Sequence, residues 1–155
     1  MRHGEAEPKS AGIKDEDRKL TEEGIALNLR ALKRALDFGP QQVDLFLCSP
    51  LTRARQTAEQ AIKVLGMKES RVITTTTLEP VSTPYEFYEV FSDTKGRVLA
   101  VTHQPFVSDL LSDLLSTDHG KIAMATSSIA RIDIQEGKEP SHGAGTLKWL
   151  VSGQP

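Results

Sequence analysis

Apolar residues recur along the chain with two spacings, one typical of helices and one typical of buried strands. Helical spacing predicts four helices, each with one buried face, at about residues 21–39, 51–65, 83–91 and 105–115. Short apolar runs between proline, glycine and polar residues predict five strands, at about 43–48, 71–76, 97–102, 128–135 and 146–151. Because strands and helices alternate, we expect an α/β sandwich with a mostly parallel sheet, in which the last two strands pair antiparallel.

Three details of this pattern make specific predictions about burial. In the first helix the buried stripe is expected to consist of Ile25, Leu29, Leu32 and Leu36. The run 43–48 is expected to be buried on both faces, and the run 97–102 is the clearest buried strand. The single cysteine, Cys48, ends the first of these runs, so we expect a buried structural thiol.

Composition and charge restrict the class of protein. A length of 155 residues, with 38% hydrophobic and 26% charged residues, fits one soluble domain spanning residues 1–155. Nineteen basic and 21 acidic residues leave a net charge of -2, which gives no general attraction to nucleic acid or a membrane surface. One cysteine suits a reducing compartment, and there is no signal-peptide or membrane-spanning pattern. We therefore expect a cytoplasmic monomer.

Candidate chemistry lies where strands end, which is where parallel sheets bind ligands. The chain opens with Arg2, a permanently charged planar fork, and His3, a nucleophile near neutral pH. Gly4 follows and lets the backbone approach a ligand closely. Arg53 lies in the first turn of the second helix, and His103 directly follows the strand at 97–102. Two guanidiniums and two imidazoles at one sheet edge favour a phosphoryl group as ligand.

These motifs are specific enough to point to a family. The Arg2-His3-Gly4 start, the block Ser49–Ala58 and the strand-terminal His103 resemble the histidine phosphatase superfamily. The segment Arg18–Gly24 and the sequence His103-Gln104-Pro105 resemble its SixA-type phosphohistidine phosphatase branch. The resemblance extends from Arg2 to about Ile134. It implies the phosphoglycerate mutase-like fold, a three-layer α/β/α sandwich with a mostly parallel central sheet.

The resemblance also implies a role for each site residue. His3 would be the nucleophile that attacks phosphorus and is transiently phosphorylated. Arg2, Arg53 and His103 would surround the non-bridging oxygens, and Gly4 would join them in binding the substrate. Fixed positive charge can stabilise phosphoryl transfer without a metal or cofactor, so we expect none. Since His3 must be neutral to attack, and a protonated His103 would bind the phosphoryl oxygens, we expect different protonation states for the two histidines.

The residue after the second histidine bears on the leaving group. Acid phosphatases of the superfamily place aspartate there to protonate a departing alkoxide, whereas this chain has Gln104. An imidazole, with a pKa near 6.5, leaves far more easily than an alkoxide. We therefore expect a phosphohistidine-bearing signalling or carrier protein as substrate. Glu79 and Glu5 remain candidate acids.

Two other functions stay open. One is a small-molecule phosphomonoesterase or mutase, with Glu79 or Glu5 as acid. The other is a catalytically weak phosphoprotein-binding module. Arg18 could lean toward an anion site, while His119 and His142 lie in polar loops and are expected to be incidental. The histidines and the cysteine show no metal-ligand spacing.

The start of the sequence adds one structural expectation. In the superfamily the nucleophile follows a central β-strand, and this first central strand is missing from the sequence before Arg2. Loss of a central strand leaves its neighbours unpaired. Either residues that precede Met1 in the native chain supply this strand, or the fold lacks it and the remaining sheet closes the gap or recruits another chain.

Overall fold

The computed structural model describes residues 1–39, 42–67, 72–92 and 94–155. Its helices are α1 (Glu22–Leu36), α2 (Thr52–Leu65), α3 (Pro84–Phe91) and α4 (Phe106–Leu114). Its strands are β1 (Leu45–Cys48), β2 (Val72–Thr74), β3 (Val98–Val101), β4 (Ile129–Ile134) and β5 (Gly145–Val151). Each corresponds to a predicted element, although Pro40 and Arg71, at two predicted boundaries, lie outside the described residues. Short 3-10 turns add Asp15–Asp17 and Thr76–Leu78.

The helices cover both faces of the sheet, which gives the predicted three layers. In β1, Phe46 and Cys48 pack into the cluster that contains α1 and α2. Leu47, between them, packs into a second cluster with α3 and α4. Because successive strand residues point to opposite faces, β1 is buried on both faces, as predicted. Cys48 is buried and free, as expected.

The sheet is formed in two parts. Strands β2, β1 and β3 are parallel in that order, while β4 and β5 form an antiparallel pair. The segment from Met1 to His3 lies between the two parts. On one side the Thr102 N–H donates to the Met1 carbonyl and the His3 N–H to the Thr102 carbonyl, both at 3.0 Å. On the other side the Arg2 N–H donates to the Ser128 carbonyl at 2.9 Å.

Beyond Met1 the two parts of the sheet separate. A groove of about 840 Å³ lies between β3 and β4, lined by residues that include Leu99, Ala100, Ala130, Ile132 and Trp149. The expectation that the remaining sheet closes the gap is therefore wrong for these two strands. The groove also explains why β3 is less buried than predicted, since Val98 is 38% exposed and only Val101 is buried.

The buried face of α1 includes Leu32, as predicted, but otherwise differs from the predicted stripe. Ile25 is 40% and Leu36 is 38% exposed, and the buried residues of the helix are Gly24, Leu27, Asn28, Ala31, Leu32 and Ala35. A close approach near the start of the helix explains the rotation. A Cβ atom at Gly24 would lie 2.1 Å from the carbonyl oxygen of Glu5, so only glycine fits against this backbone.

Candidate active site

His3 is held by the backbone at the junction of the two parts of the sheet. Its main chain bonds to Thr102 on one side, and its carbonyl accepts from the Ser127 N–H at 3.1 Å on the other. The ring Nδ1 lies 2.6 Å from the Gly4 carbonyl oxygen. A carbonyl only accepts, so Nδ1 carries the hydrogen and Nε2 keeps a lone pair. The imidazole is thus oriented as a nucleophile requires.

His103 reaches the same place from the end of β3. Its ring centroid lies 4.8 Å from that of His3, at an angle of 51°. The Nε2 atom lies 2.8 Å from the Ser49 hydroxyl oxygen, at the carboxyl end of β1. Within the part of the chain that the structure describes, the buried Nδ1 atom has no hydrogen-bond partner. The two imidazoles that the sequence singled out are therefore brought together.

The two arginines are anchored to different segments of the chain. Arg2 donates from Nη1 to the Met124 carbonyl at 2.7 Å, while its buried Nε lacks a partner among the described residues. Arg53, in the first turn of α2, has a side chain that is 5% exposed. It donates from Nη1 to the Asp15 carbonyl at 2.7 Å and from Nη2 to the Asp15 carboxylate at 3.0 Å.

Burial and positive charge act on both histidines in the same direction. Burial, together with the charges of Arg53, Arg2 and Arg18, lowers the pKa of His3 to about 4, although the Gly4 hydrogen bond opposes the shift. Burial, then His3 and Arg53, lowers the pKa of His103 to about 2. These surroundings keep both rings neutral at pH 7. The expected neutral state of His3 fits this environment, whereas the expected protonated His103 does not.

Gly4 is fixed by packing against its neighbours. Its N–H donates to the Thr57 hydroxyl at 3.1 Å, and a Cβ atom would lie 2.5 Å from Asn28 Nδ2. The Asn28 amide is itself held by Thr57, at 3.2 Å, and by Gln60, at 2.8 Å. The structure thus gives Gly4 a packing reason for lacking a side chain. Its predicted contact with substrate stays a prediction.

Gln104, which follows His103, and the two candidate acids lie in different surroundings. The Gln104 side chain is fixed by two hydrogen bonds, which its Nε2 donates to Ser108 Oγ at 2.7 Å and to the Met124 carbonyl at 3.2 Å. Glu79 is half-buried and follows Leu78, whose carbonyl accepts from the Thr102 hydroxyl at 2.7 Å. That bond places the backbone beside Glu79 next to the strand end that carries His103. Glu5 is exposed.

Sequence analysis missed two residues that contact the site. Ser49 was only part of a motif, yet its hydroxyl contacts His103. Asp15 lies in a polar loop and belongs to none of the motifs, yet it binds both Arg53 and Arg18. The position of Asp15 in the sequence does not predict its contacts with the two arginines. Among the residues of that loop, the sequence links Arg18 alone to an anion site.

The other two histidines lie on the surface. His119 Nδ1 lies 3.3 Å from Asp109, and His142 lies 3.0 Å from Asp113 through Nδ1 and 3.1 Å from Ser116 through Nε2. The second set has the order of a Ser-His-Asp triad. However, the N–H of Ser116 already donates to the Asp113 carbonyl, so this donor is not free for an oxyanion.

Within the described ranges, no group of three or more histidine, cysteine or acidic side chains is arranged to hold a metal ion. Likewise, none of the helices in these ranges combines the length and apolarity needed to cross a membrane.

Comparisons with known proteins agree with this site. Residues 1–80, more than half of the chain, match the model of the histidine phosphatase superfamily (branch 1). The chain therefore belongs to the histidine phosphatase superfamily. A comparison with curated proteins gives no match.

Several solved structures are similar to this chain over nearly its whole length. The protein histidine phosphatase SixA, solved with tungstate, is 27% identical, with a TM-score of 0.80 over 99% of this chain and 94% of that one. A protein from Agrobacterium tumefaciens assigned as a SixA phosphohistidine phosphatase is 20% identical, with a TM-score of 0.74 over 99% and 94%. One from Escherichia coli assigned as an alpha-ribazole-5'-P phosphatase is 21% identical, with a TM-score of 0.73 over 99% and 95%. Family and fold together support phosphatase activity.

Proposed function

We propose that the protein is a phosphohistidine phosphatase that works through a phosphorylated His3. The observation that carries this proposal is the orientation of His3, whose Nδ1 hydrogen is committed to Gly4 beside the ring of His103. The likeness to the SixA structure supports the same substrate class. The substrate would be a phosphorylated histidine of a signalling or carrier protein, and a cytoplasmic monomer remains our prediction.

The reaction would proceed in two balanced steps. In the first, His3 Nε2 forms a bond to phosphorus as the phosphorus–nitrogen bond of the substrate breaks. With its far nitrogen protonated, the substrate imidazole leaves as a neutral ring and needs no acid from the protein. In the second step, water attacks phosphorus, His3 Nε2 leaves, and inorganic phosphate is released. Throughout, Arg2 and Arg53 would neutralise the phosphoryl oxygens.

The approach of the phosphoryl group would also change the protonation of the pocket. A dianion near His103 favours the charged form of its ring and so raises its pKa. His103 would then take up a proton when the substrate binds, and its ring would become the positive imidazole that is disfavoured in the free pocket. His3, with Nδ1–H on the Gly4 carbonyl, would keep its attacking nitrogen free.

The decisive test is mass spectrometry of the protein after brief exposure to a phosphohistidine donor and rapid quenching. We expect one phosphoryl adduct on His3, absent in His3→Ala and unchanged in His119→Ala, which replaces an exposed histidine. Turnover of a chemically phosphorylated histidine protein should continue in EDTA. An adduct elsewhere, or full activity of His3→Ala, would reject the proposal.

A small-molecule phosphomonoesterase is the second candidate, because the Thr102–Leu78 hydrogen bond brings the backbone at Glu79 to the site. An alkoxide leaving group needs a proton, so Glu79→Gln should lower its hydrolysis by about two orders of magnitude. Release of an imidazole should change little. If the wild-type protein hydrolyses a sugar phosphate faster than phosphohistidine, and Glu79→Gln abolishes this preference, the second candidate is correct.

A further inference from the structure

The 3-10 turn Asp15–Asp17 lies against the first turn of α2 and fixes the guanidinium of Arg53. Both terminal nitrogens of Arg53 bind one residue, Nη1 through the Asp15 carbonyl and Nη2 through its carboxylate. Two contacts to one residue set both the position and the plane of the guanidinium. The Arg53 side chain is only 5% exposed and the Asp15 side chain 42% exposed, so these contacts take the place of most of the hydration of the guanidinium.

The same carboxylate binds a second arginine. Asp15 Oδ1 accepts from Arg18 Nη1 at 2.8 Å, and Arg18 Nε donates to the Glu7 carbonyl. The Arg18 side chain is 16% exposed, and its charge contributes to the low pKa of His3. Through the shared carboxylate, Arg18 is held beside Arg53. Lys9 also approaches Asp15, at 3.5 Å, but its side chain is 79% exposed and adds little.

One carboxylate between two guanidiniums offsets their mutual repulsion. The hydrogen bond from Arg18 and the charge of Arg53 hold the pKa of Asp15 at about 2, so its negative charge persists across neutral pH. A guanidinium carries five N–H donors. Arg53 donates two of its N–H groups to Asp15, so its remaining N–H groups can donate to phosphoryl oxygens.

We propose that Asp15 is a positioning residue of the phosphoryl site, which orients Arg53 and brings in Arg18 as a third guanidinium for the oxyanion. The inference rests on the proposed function, because it assigns these charges to a phosphoryl group. It adds a cation that the Arg2-His3-Gly4 and Ser49–Ala58 motifs do not contain. Asp15 itself touches the arginines and acts on the substrate through them.

The test measures binding of inorganic phosphate by calorimetry, without turnover. Charge-assisted hydrogen bonds are among the stronger ones, so we expect Asp15→Ala to weaken phosphate binding by about tenfold to a hundredfold. Asp15→Glu keeps the carboxylate and should recover part of the loss. Arg18→Ala should weaken binding, while Arg18→Lys, which keeps the charge but not the fork, should weaken it less.

Asp17 provides the matched control. It is the same residue type in the same turn, it is exposed, and its side chain makes no hydrogen bond or ion pair to any residue that the structure describes. Asp17→Ala should bind phosphate like the wild type. Circular dichroism and thermal melts would confirm that each variant is folded, and loss of binding in a folded Asp15→Ala protein with Asp15→Glu rescue supports positioning.

Two results would overturn the inference. Unchanged phosphate affinity in Asp15→Ala would give Asp15 no role at the site. Tighter binding would mean that Asp15 competes with the anion for Arg53 and Arg18. Neither result touches the proposed function, which depends on the His3 adduct. Conversely, failure to form that adduct would reject the proposed function and leave the phosphate measurement to decide about Asp15.

Discussion

At the scale of single residues, Gly4 shows how tightly the nucleophile's neighbour is packed. A Cβ atom there would lie 2.5 Å from Asn28 Nδ2, and Thr57 and Gln60 hold that amide in place. Gly4→Ala should therefore lower the free energy of unfolding by about 1–3 kcal/mol, the usual cost of overpacking, as measured by urea denaturation. Adding Asn28→Ala should recover part of the loss. A Gly4→Ala protein of wild-type stability would contradict this packing.

His3 predicts a second residue-scale effect, on stability against pH. A histidine of the unfolded chain titrates near pH 6.5, whereas burial lowers the pKa of folded His3 to about 4. Between these values the unfolded state binds more protons, so the free energy of unfolding falls as pH falls. The His3 shift alone amounts to about 3 kcal/mol by pH 4.

Urea denaturation at pH 7 and pH 4.5 would measure this dependence. The wild-type protein should lose more stability on acidification than His3→Gln, whose amide does not titrate in this range. His103 adds to the loss in both proteins, because burial also lowers its pKa, to about 2. Equal losses in the two proteins would mean that His3 titrates normally.

At the scale of elements, we expect a substitution in α3 to change the stability of the protein without changing the reaction at His3. Its capping box is complete, with the Thr83 hydroxyl accepting from the Glu86 N–H and the Glu86 carboxylate accepting from the Thr83 N–H. Thr83→Ala should destabilise the protein by about 1 kcal/mol in thermal or urea unfolding. The yield of the His3 adduct should stay unchanged at room temperature. A large loss of adduct in the folded variant would link α3 to the site.

The spacing of apolar residues predicts where the helices and strands lie along the chain, but it does not predict which side of a helix is buried. Spacing alone placed Ile25 and Leu36 on the buried side of α1, while the contact of Gly24 with Glu5 sets the actual rotation. The site shows the same division. The arginines and histidines could be predicted because each sits in a recognisable motif, whereas Asp15 depends on a contact with Arg53, 38 positions away along the chain.

At the scale of the whole molecule, the two parts of the sheet formed by the described residues meet at one end. There Met1 and His3 bond to Thr102, which follows β3, while Arg2 and His3 bond to Ser128 and Ser127, which precede β4. Beyond Met1 the groove separates the two strands. The candidate active site therefore lies at the closed end. His3 gains its support from hydrogen bonds to both parts of the sheet, although the first central strand does not precede it in this sequence.

The open end should be visible in hydrogen exchange. Alternate residues of a strand direct their N–H groups to opposite neighbours, so Leu99 and Val101 face β1 while Val98 and Ala100 face the groove. We expect fast exchange at Val98 and Ala100 and slow exchange at the other two, measured by NMR in heavy water. Uniform protection would instead mean that a further strand pairs with this edge. The four N–H groups of β3 would thus exchange at two different rates, fast where the N–H faces the groove and slow where it faces β1.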